Sequence, residues 1–262
     1  MKIIRRIFGN IDNRTKKTRI ENALGIKLDD GYFNHDLDEK SEEYSKIEKL
    51  VHDLNLQDDV IGTEFTKKEI EEARTLVFRG VWATGYPQPE DPKEVIRNTY
   101  ANSCPECGIH DDQKAPFQMK EPNLGKHKMM NLNWINDEIF AEHDLYDRFF
   151  KDFGIGMREA ILFKKNIPVK TVVQLNIPKA EFTFDMKGID FSICPICDRK
   201  KYFPVVNGFF PAPTNLNFHI IKTQEYFGSG YSAFNKIMVS NEIMTKMIEN
   251  KLAKYYHFIP AK

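Results

Sequence analysis

Cys104-Pro-Glu-Cys107-Gly108 and Cys194-Pro-Ile-Cys197-Asp198 contain every cysteine of the chain. In both, two residues separate the sulfurs and proline follows the first cysteine. A zinc ion takes four soft ligands in a tetrahedron, and a two-residue spacer lets one tight turn present two thiolates to the same ion. Proline fixes φ at the start of such a turn. Gly108 can then adopt the positive φ that turns backbone amides toward sulfur. Asp198 stands at the equivalent place in the second motif, and Asp tolerates that conformation better than most residues. Cys104, Cys107, Cys194 and Cys197 are therefore expected to bind one structural zinc ion. With four thiolates no coordination position remains for water, so the site is closed rather than catalytic.

Residues 108–193 separate the two pairs, far more than in a compact ribbon. Closure entropy grows only with the logarithm of loop length, so an insertion with structure of its own adds little cost. A redox Cys-x-x-Cys pair needs no matching second pair, and no βαβ pattern surrounds either motif. Two disulfides would require an oxidising compartment. The zinc-deaminase signature also fails, because there proline precedes the cysteine pair instead of entering it.

Outward from the motifs, the chain from Leu76 onward reads mainly as strands. The candidates are Leu76–Trp82, Val95–Tyr100, Met129–Ile135, Val169–Ile177, Glu181–Met186, Lys201–Val206 and a final strand near Tyr255–Ile259. Two helices interrupt them. Asp144–Phe153 stops at Gly154, a residue suited to a left-handed cap. The second is capped by Ser240 and carries the stripe Ile243, Met244, Met247, Ile248 and Leu252. Toward the start, Thr66-Lys-Lys-Glu69 is a capping box that opens a helix ending near Thr75. The expected fold is α+β, a mainly antiparallel sheet with a zinc-ribbon-like four-cysteine site and a few packed helices. Residues 1–75 are read as an N-terminal, largely helical, charged segment and residues 76–262 as the α+β domain holding the cysteine motifs.

Lys plus Arg and Asp plus Glu both number 38, so no global field draws the chain to nucleic acid or to an acidic membrane. No segment reaches the length of a membrane span and no signal-peptide stretch opens the sequence, which gives a cytoplasmic expectation. The charge is nevertheless uneven. Residues 1–19 hold seven basic side chains against Asp12, while nine acidic residues from Asp36 to Asp59 face only Lys40, Lys46 and Lys49. Within the acidic run Tyr44, Ile47, Leu50, Val51 and Leu54 recur at helical spacing, the pattern of an amphipathic helix with an acidic outer face.

Signals of catalysis are weak. His35-Asp36, His52-Asp53, His110-Asp111 and His143-Asp144 lack the further ligands of a metal-dependent phosphohydrolase. Gly228-Ser-Gly230-Tyr-Ser-Ala233 satisfies a dinucleotide fingerprint in form, but the next helix starts only after Ser240, so the helix N-terminus that would hold phosphate is displaced. A tight turn or partner-contact loop is the better reading. No nucleophile and base pair stands out, and the chain is read as a binding protein rather than an enzyme.

The order of features from Tyr100 onward resembles the double C-x-x-C-G family of bacterial proteins, some of which are immunity proteins for toxins exchanged between neighbouring myxobacterial cells. The resemblance rests on Cys104-Pro-Glu-Cys107-Gly108, Asn133-Trp134-Ile135, the helix leading to Phe153-Gly154, the strand Val172–Ile177, Cys194-Pro-Ile-Cys197, Ile221-Lys-Thr223 and Phe258-Ile-Pro260. Asp198 departs from the glycine of that pattern, and residues 1 to about 75 have no counterpart in it. The resemblance implies a zinc-braced fold that neutralises a cognate protein toxin by binding it. The acidic face, including Glu42, Glu43 and Glu48, would meet a basic toxin, with Tyr226, Phe227, Tyr231 and Phe234 as alternative aromatic anchors. Two other readings remain open, a nucleic-acid-binding zinc ribbon using residues 1–19 and an enzyme of unrecognised type. The second would show itself as a cleft of convergent polar groups away from the cysteines.

Overall fold

The computed structural model describes residues 1–262. The fold is α+β with mostly antiparallel sheets, and the chain divides into two compact units. One comprises Met1–Glu69 with Val205–Phe209, the other Ile70–Pro204 with Phe210–Lys262. No helix is long and apolar enough to cross a membrane.

The first unit corrects the expectation of a largely helical N-terminal segment. Strands Lys2–Ile11, Gly31–Asp38 and Gln57–Glu64 form an antiparallel sheet with Lys2–Ile11 in the centre. Helices Arg14–Leu24 and Glu42–Val51 accompany it. Ile7, Ile20 and Ile47 are fully buried in the shared core. The uneven charge explains the misreading, because much of it is paired across strands instead of lying on helical faces. Arg6 lies directly opposite Asp36 and bonds it at 2.6 Å, and Arg5 holds Asp58 at 2.8 Å. Such cross-strand opposite-charge pairs stabilise a sheet. Of the acidic run, only the part over Glu42–Val51 is helical; Ser41 caps it by accepting from the Tyr44 amide, and Tyr44 and Ile47 face inward. The capping box forms as expected, with Thr66 Oγ1 accepting from the Glu69 amide at 3.2 Å and Glu69 from the Thr66 amide at 2.8 Å.

In the second unit, Thr75–Phe78 is a central strand of a four-stranded antiparallel sheet. It pairs with Ile237–Ser240 on one side and Phe258–Pro260 on the other, with Ile220–Lys222 at one edge. The helix Asn241–Glu249 starts from Ser240, whose hydroxyl accepts from the Ile243 amide. A second sheet is built around Val172–Asn176, with Phe140–Glu142 and Gly156–Arg158 as its neighbours. Phe117, Met130 and Phe140 fill the core beneath it. The helical stretch His143–Phe153 contains a π turn and a final 3-10 turn, and Gly154 ends it at φ 71°.

Three expected strands are different. Val95–Tyr100 belongs to the helix Pro92–Thr99. Asp91 caps that helix by accepting from the Lys93 and Glu94 amides, and Pro92 occupies its first turn, where a missing N–H costs nothing. Met129–Ile135 is a strand only at Met129–Met130; Asn131 then bridges to Ala83 and Trp134 takes φ 70°. Glu181–Met186 is irregular, and the Phe184 amide donates to the Glu225 carboxylate instead of to a neighbouring strand.

Candidate metal centre

The two motifs form turns with the same backbone hydrogen-bond pattern. In the first, the Gly108 amide donates to the Cys104 carbonyl at 3.1 Å and the Cys104 amide to the Ile109 carbonyl at 2.8 Å. In the second, the Asp198 amide donates to the Cys194 carbonyl at 2.9 Å and the Cys194 amide to the Arg199 carbonyl at 3.1 Å. Gly108 has φ 73° and Asp198 φ 55°, so both take the left-handed conformation expected of them. The first turn follows the helix Pro92–Thr99 rather than a strand, and its base is closed by Ala101 bonding Asp111 and Asp112 through the backbone. The second turn joins the antiparallel strands Phe191–Ile193 and Lys200–Tyr202, and Lys200–Tyr202 also pairs with Tyr226–Phe227.

These turns bring Cys104, Cys107, Cys194 and Cys197 together, with all four sulfurs within 4.8 Å of one another. Cys104 lies 3.7 Å from Cys194, and Cys107 3.7 Å from Cys197. A tetrahedron with zinc–sulfur bonds of about 2.3 Å has sulfur–sulfur edges of about 3.8 Å. A disulfide would need about 2.05 Å, and all four thiols are free. The cluster can therefore hold a metal ion, and its sulfur donors suit a soft one.

Two cations from the second motif surround it. Arg199 donates to the carbonyls of Asn102 and Ile109, each at 2.8 Å, and pairs with Asp111 at 3.1 Å. Lys201, almost fully buried, donates to the carbonyls of Cys107 at 2.9 Å, Ser232 at 3.1 Å and Gly230. Both side chains tie the second turn to the first across the sequence gap. Burial opposes ionisation of Cys197, but hydrogen bonds from the Arg199 side chain and backbone outweigh it and bring the thiol to about 6. Burial pushes Cys107 up to about 12. Burial lowers the Lys201 ammonium, while the four sulfurs oppose that shift. A zinc tetrathiolate unit carries a net charge of about −2, which Arg199 and Lys201 would balance.

The Gly228–Gly230 segment belongs to this arrangement and not to a nucleotide site. The Gly230 carbonyl receives Lys201, the Gly228 amide donates to the Tyr202 carbonyl, and Tyr231 packs on Gly108 so closely that a Cβ there would lie 2.0 Å from the Tyr231 carbonyl oxygen. Of the aromatic residues considered as anchors, Tyr226 and Phe227 are buried, and Tyr231 and Phe234 are partly so. The four His-Asp dipeptides do not converge with other ligands, and the cysteines form the one grouping able to hold a metal. Arg199 and Lys201 escaped the sequence reading although the run Asp198-Arg-Lys-Lys201 directly after the second motif signals them. No family model matches the chain, and neither curated proteins nor solved structures give a match.

Proposed function

We propose that Cys104, Cys107, Cys194 and Cys197 hold one zinc ion as a structural, ribbon-like brace in a protein that acts by binding another protein. The observation that carries this reading is the four-sulfur cluster, with 3.7 Å edges close to those of a zinc tetrathiolate. Zinc bound there would add no reactive water, because the thiolates fill the tetrahedron. The chain's own part is to present four sulfurs from two rigid turns and to neutralise their charge with Arg199 and Lys201.

The role proposed is that of the families this sequence resembles, a cytoplasmic immunity protein that neutralises a cognate toxin by direct contact. The acidic surface available for a basic partner is smaller than the sequence suggests. Asp36, Asp53 and Asp58 are engaged by Arg6, Arg19 and Arg5, and Glu42 by Lys46, which leaves Glu43, Glu48 and Asp59 exposed without an ion pair. The same pairs occupy Arg5, Arg6 and Arg19, three of the seven basic residues that a nucleic-acid reading would need. An exposed aromatic pair supports a protein interface better. Tyr86 and Trp134 pack at 4.6 Å with 41% and 45% of their surfaces open, and interfaces favour such anchors.

Metal analysis of the purified chain tests the brace, with one zinc per chain expected and none in a variant lacking Cys104 and Cys194. Co-expression with the product of the adjacent reading frame tests the role. Relief of toxicity that is lost in Trp134→Ala supports it, and an adjacent frame that encodes a non-toxic metabolic enzyme counts against it.

A further inference from the structure

Beyond the first cysteine turn, His110 and Asp111 run into the wall of a cavity of about 210 Å³. Drug-sized ligand pockets have about 300–1,000 Å³, so this one suits a smaller molecule. Its floor is a buried polar network in which Glu138, only 2% exposed, accepts from Lys222 at 2.6 Å, Tyr100 at 2.8 Å and Gln174 at 2.9 Å. Glu138 is thus fully satisfied, and among buried side-chain nitrogen and oxygen atoms only Glu225 Oε2 lacks a hydrogen-bond partner.

The charges lining the cavity do not all pair with one another. Asp111 is held by Arg199 and Glu138 by Lys222. Arg158, Lys179, Asp112 and Asp137 remain, two of each sign, with no ion pair among them within 4.0 Å. Asp137 is 4% exposed, and its one hydrogen bond comes from the Asn235 amide at 3.0 Å. No cation sits within ion-pair distance of the Asp137 carboxylate, Lys179 and Lys236 facing it only from farther away; a buried carboxylate without a direct partner is costly, and Asp137 borders the open space of the cavity. Arg158 stands opposite Gln174 in the antiparallel register, so both side chains rise from the same face of the sheet. Lys179 gives one hydrogen bond, to the Tyr226 hydroxyl at 3.0 Å, and keeps two protons for another acceptor.

We propose that this cavity binds a free amino acid, its carboxylate taken by Arg158 and Lys179 and its ammonium by Asp137. A bare anion would leave Asp137 without a partner, and a simple cation would do the same to Arg158 and Lys179. A ligand carrying both charges meets all three and adds no net charge to the cavity, and the fourth group, Asp112, is exposed to solvent. This site is independent of any protein partner and of the identity of the metal.

Isothermal titration and thermal-shift measurements on the full chain test it, using each standard amino acid in turn with acetate, methylammonium and inorganic phosphate as single-charge probes. At least one amino acid should bind and raise the melting temperature while the single-charge probes do not. Arg158→Gln, which removes no hydrogen bond or ion pair of the ligand-free protein, should keep the unliganded melting temperature. It should also weaken binding about tenfold or more, the usual worth of a charge-assisted hydrogen bond. Asp137→Asn can still accept from the Asn235 amide and should weaken binding similarly. Absence of binding by every amino acid overturns the proposal, as does equal binding of phosphate or acetate, or undiminished affinity in Arg158→Gln.

Discussion

Gly108 and Asp198 share a backbone conformation but differ in what surrounds them, and alanine at each position separates the two effects. Both residues sit at positive φ, where an L side chain costs about 1–2 kcal/mol relative to glycine. At Asp198, which is exposed, that conformational cost is already present, so Asp198→Ala should change stability by less than about 1 kcal/mol. At Gly108 a Cβ would lie 2.0 Å from the Tyr231 carbonyl oxygen, a backbone atom that no rotamer change can move aside. The Tyr231 segment would have to retreat, yet Lys201 holds the carbonyls on either side of it, at Gly230 and Ser232. Losing one such bond to a charged donor costs about 1.5–3 kcal/mol. Added to the conformational cost, Gly108→Ala should destabilise by about 3–5 kcal/mol, a large share of the stability of a typical domain. Urea melts of the metal-loaded protein read the stability, and transfer of zinc to a chromogenic chelator reads the integrity of the turn, with faster release expected for Gly108→Ala alone. If Gly108→Ala and Asp198→Ala cost the same to within about 1 kcal/mol, the close approach of Tyr231 does not constrain the metal centre.

Lys201→Met leaves the carbonyls of Cys107, Gly230 and Ser232 without their shared donor; stability should fall by about 3 kcal/mol and zinc should be released faster, as followed by urea melts and chelator competition. Thr66→Ala removes the hydroxyl that receives the Glu69 amide, and a thermal melt should register a loss of about 1 kcal/mol. Burial lowers the Lys236 ammonium from 10.5 to about 8, so between those values the unfolded chain binds more protons than the folded one. Stability should therefore rise as pH increases from about 8 to 10.5, by at most about 1.4 kcal/mol per unit. Lys236→Met should be the more stable protein at pH 7 and lose that advantage as pH approaches 10.5; a variant less stable than the parent at pH 7 would mean that the Phe234 ring, 4.7 Å from the ammonium, outweighs desolvation.

What the sequence revealed was local in character. The cysteine turns were legible because a two-residue spacer, a proline and a residue tolerant of positive φ are conditions that neighbouring residues meet by themselves. The same holds for the Thr66–Glu69 box and the Ser240 cap, each completed within four residues. Val95–Tyr100 was misread because its apolar and β-branched residues outweighed Asp91-Pro92, although that dipeptide was the stronger local signal. The N-terminal sheet was hidden for a different reason. Arg5 and Asp58 lie 53 positions apart and Arg6 and Asp36 lie 30 apart, so their opposite charges look like separate basic and acidic segments until strand register places them together. The cavity is more distant still from local pattern: Glu138 and Lys222 are 84 positions apart, and nothing near either one in the sequence points to the other.

The metal centre and the cavity share one segment of chain, and this makes them mechanically dependent. Gly108, the end of the first cysteine turn, accepts from His110 Nδ1 at 2.9 Å, and the His110 carbonyl receives the Tyr226 hydroxyl that also holds Lys179. Asp111, the next residue, is fixed by Arg199, which follows Cys197 by two residues and also donates to the Ile109 carbonyl at 2.8 Å. A change in the position of the first turn is therefore transmitted to two walls of the cavity through hydrogen bonds, without passing through the apolar core. Removing the metal proposed for the cluster would take away the attraction that offsets four sulfurs all within 4.8 Å of one another, and the turns should separate. The cavity would then lose the placement of Lys179 even if the sheets around Val172–Asn176 stayed folded. Amino-acid affinity should consequently fall on chelation before the far-ultraviolet circular dichroism changes, whereas a cavity supported only by its sheets would keep its ligand until the whole unit unfolds.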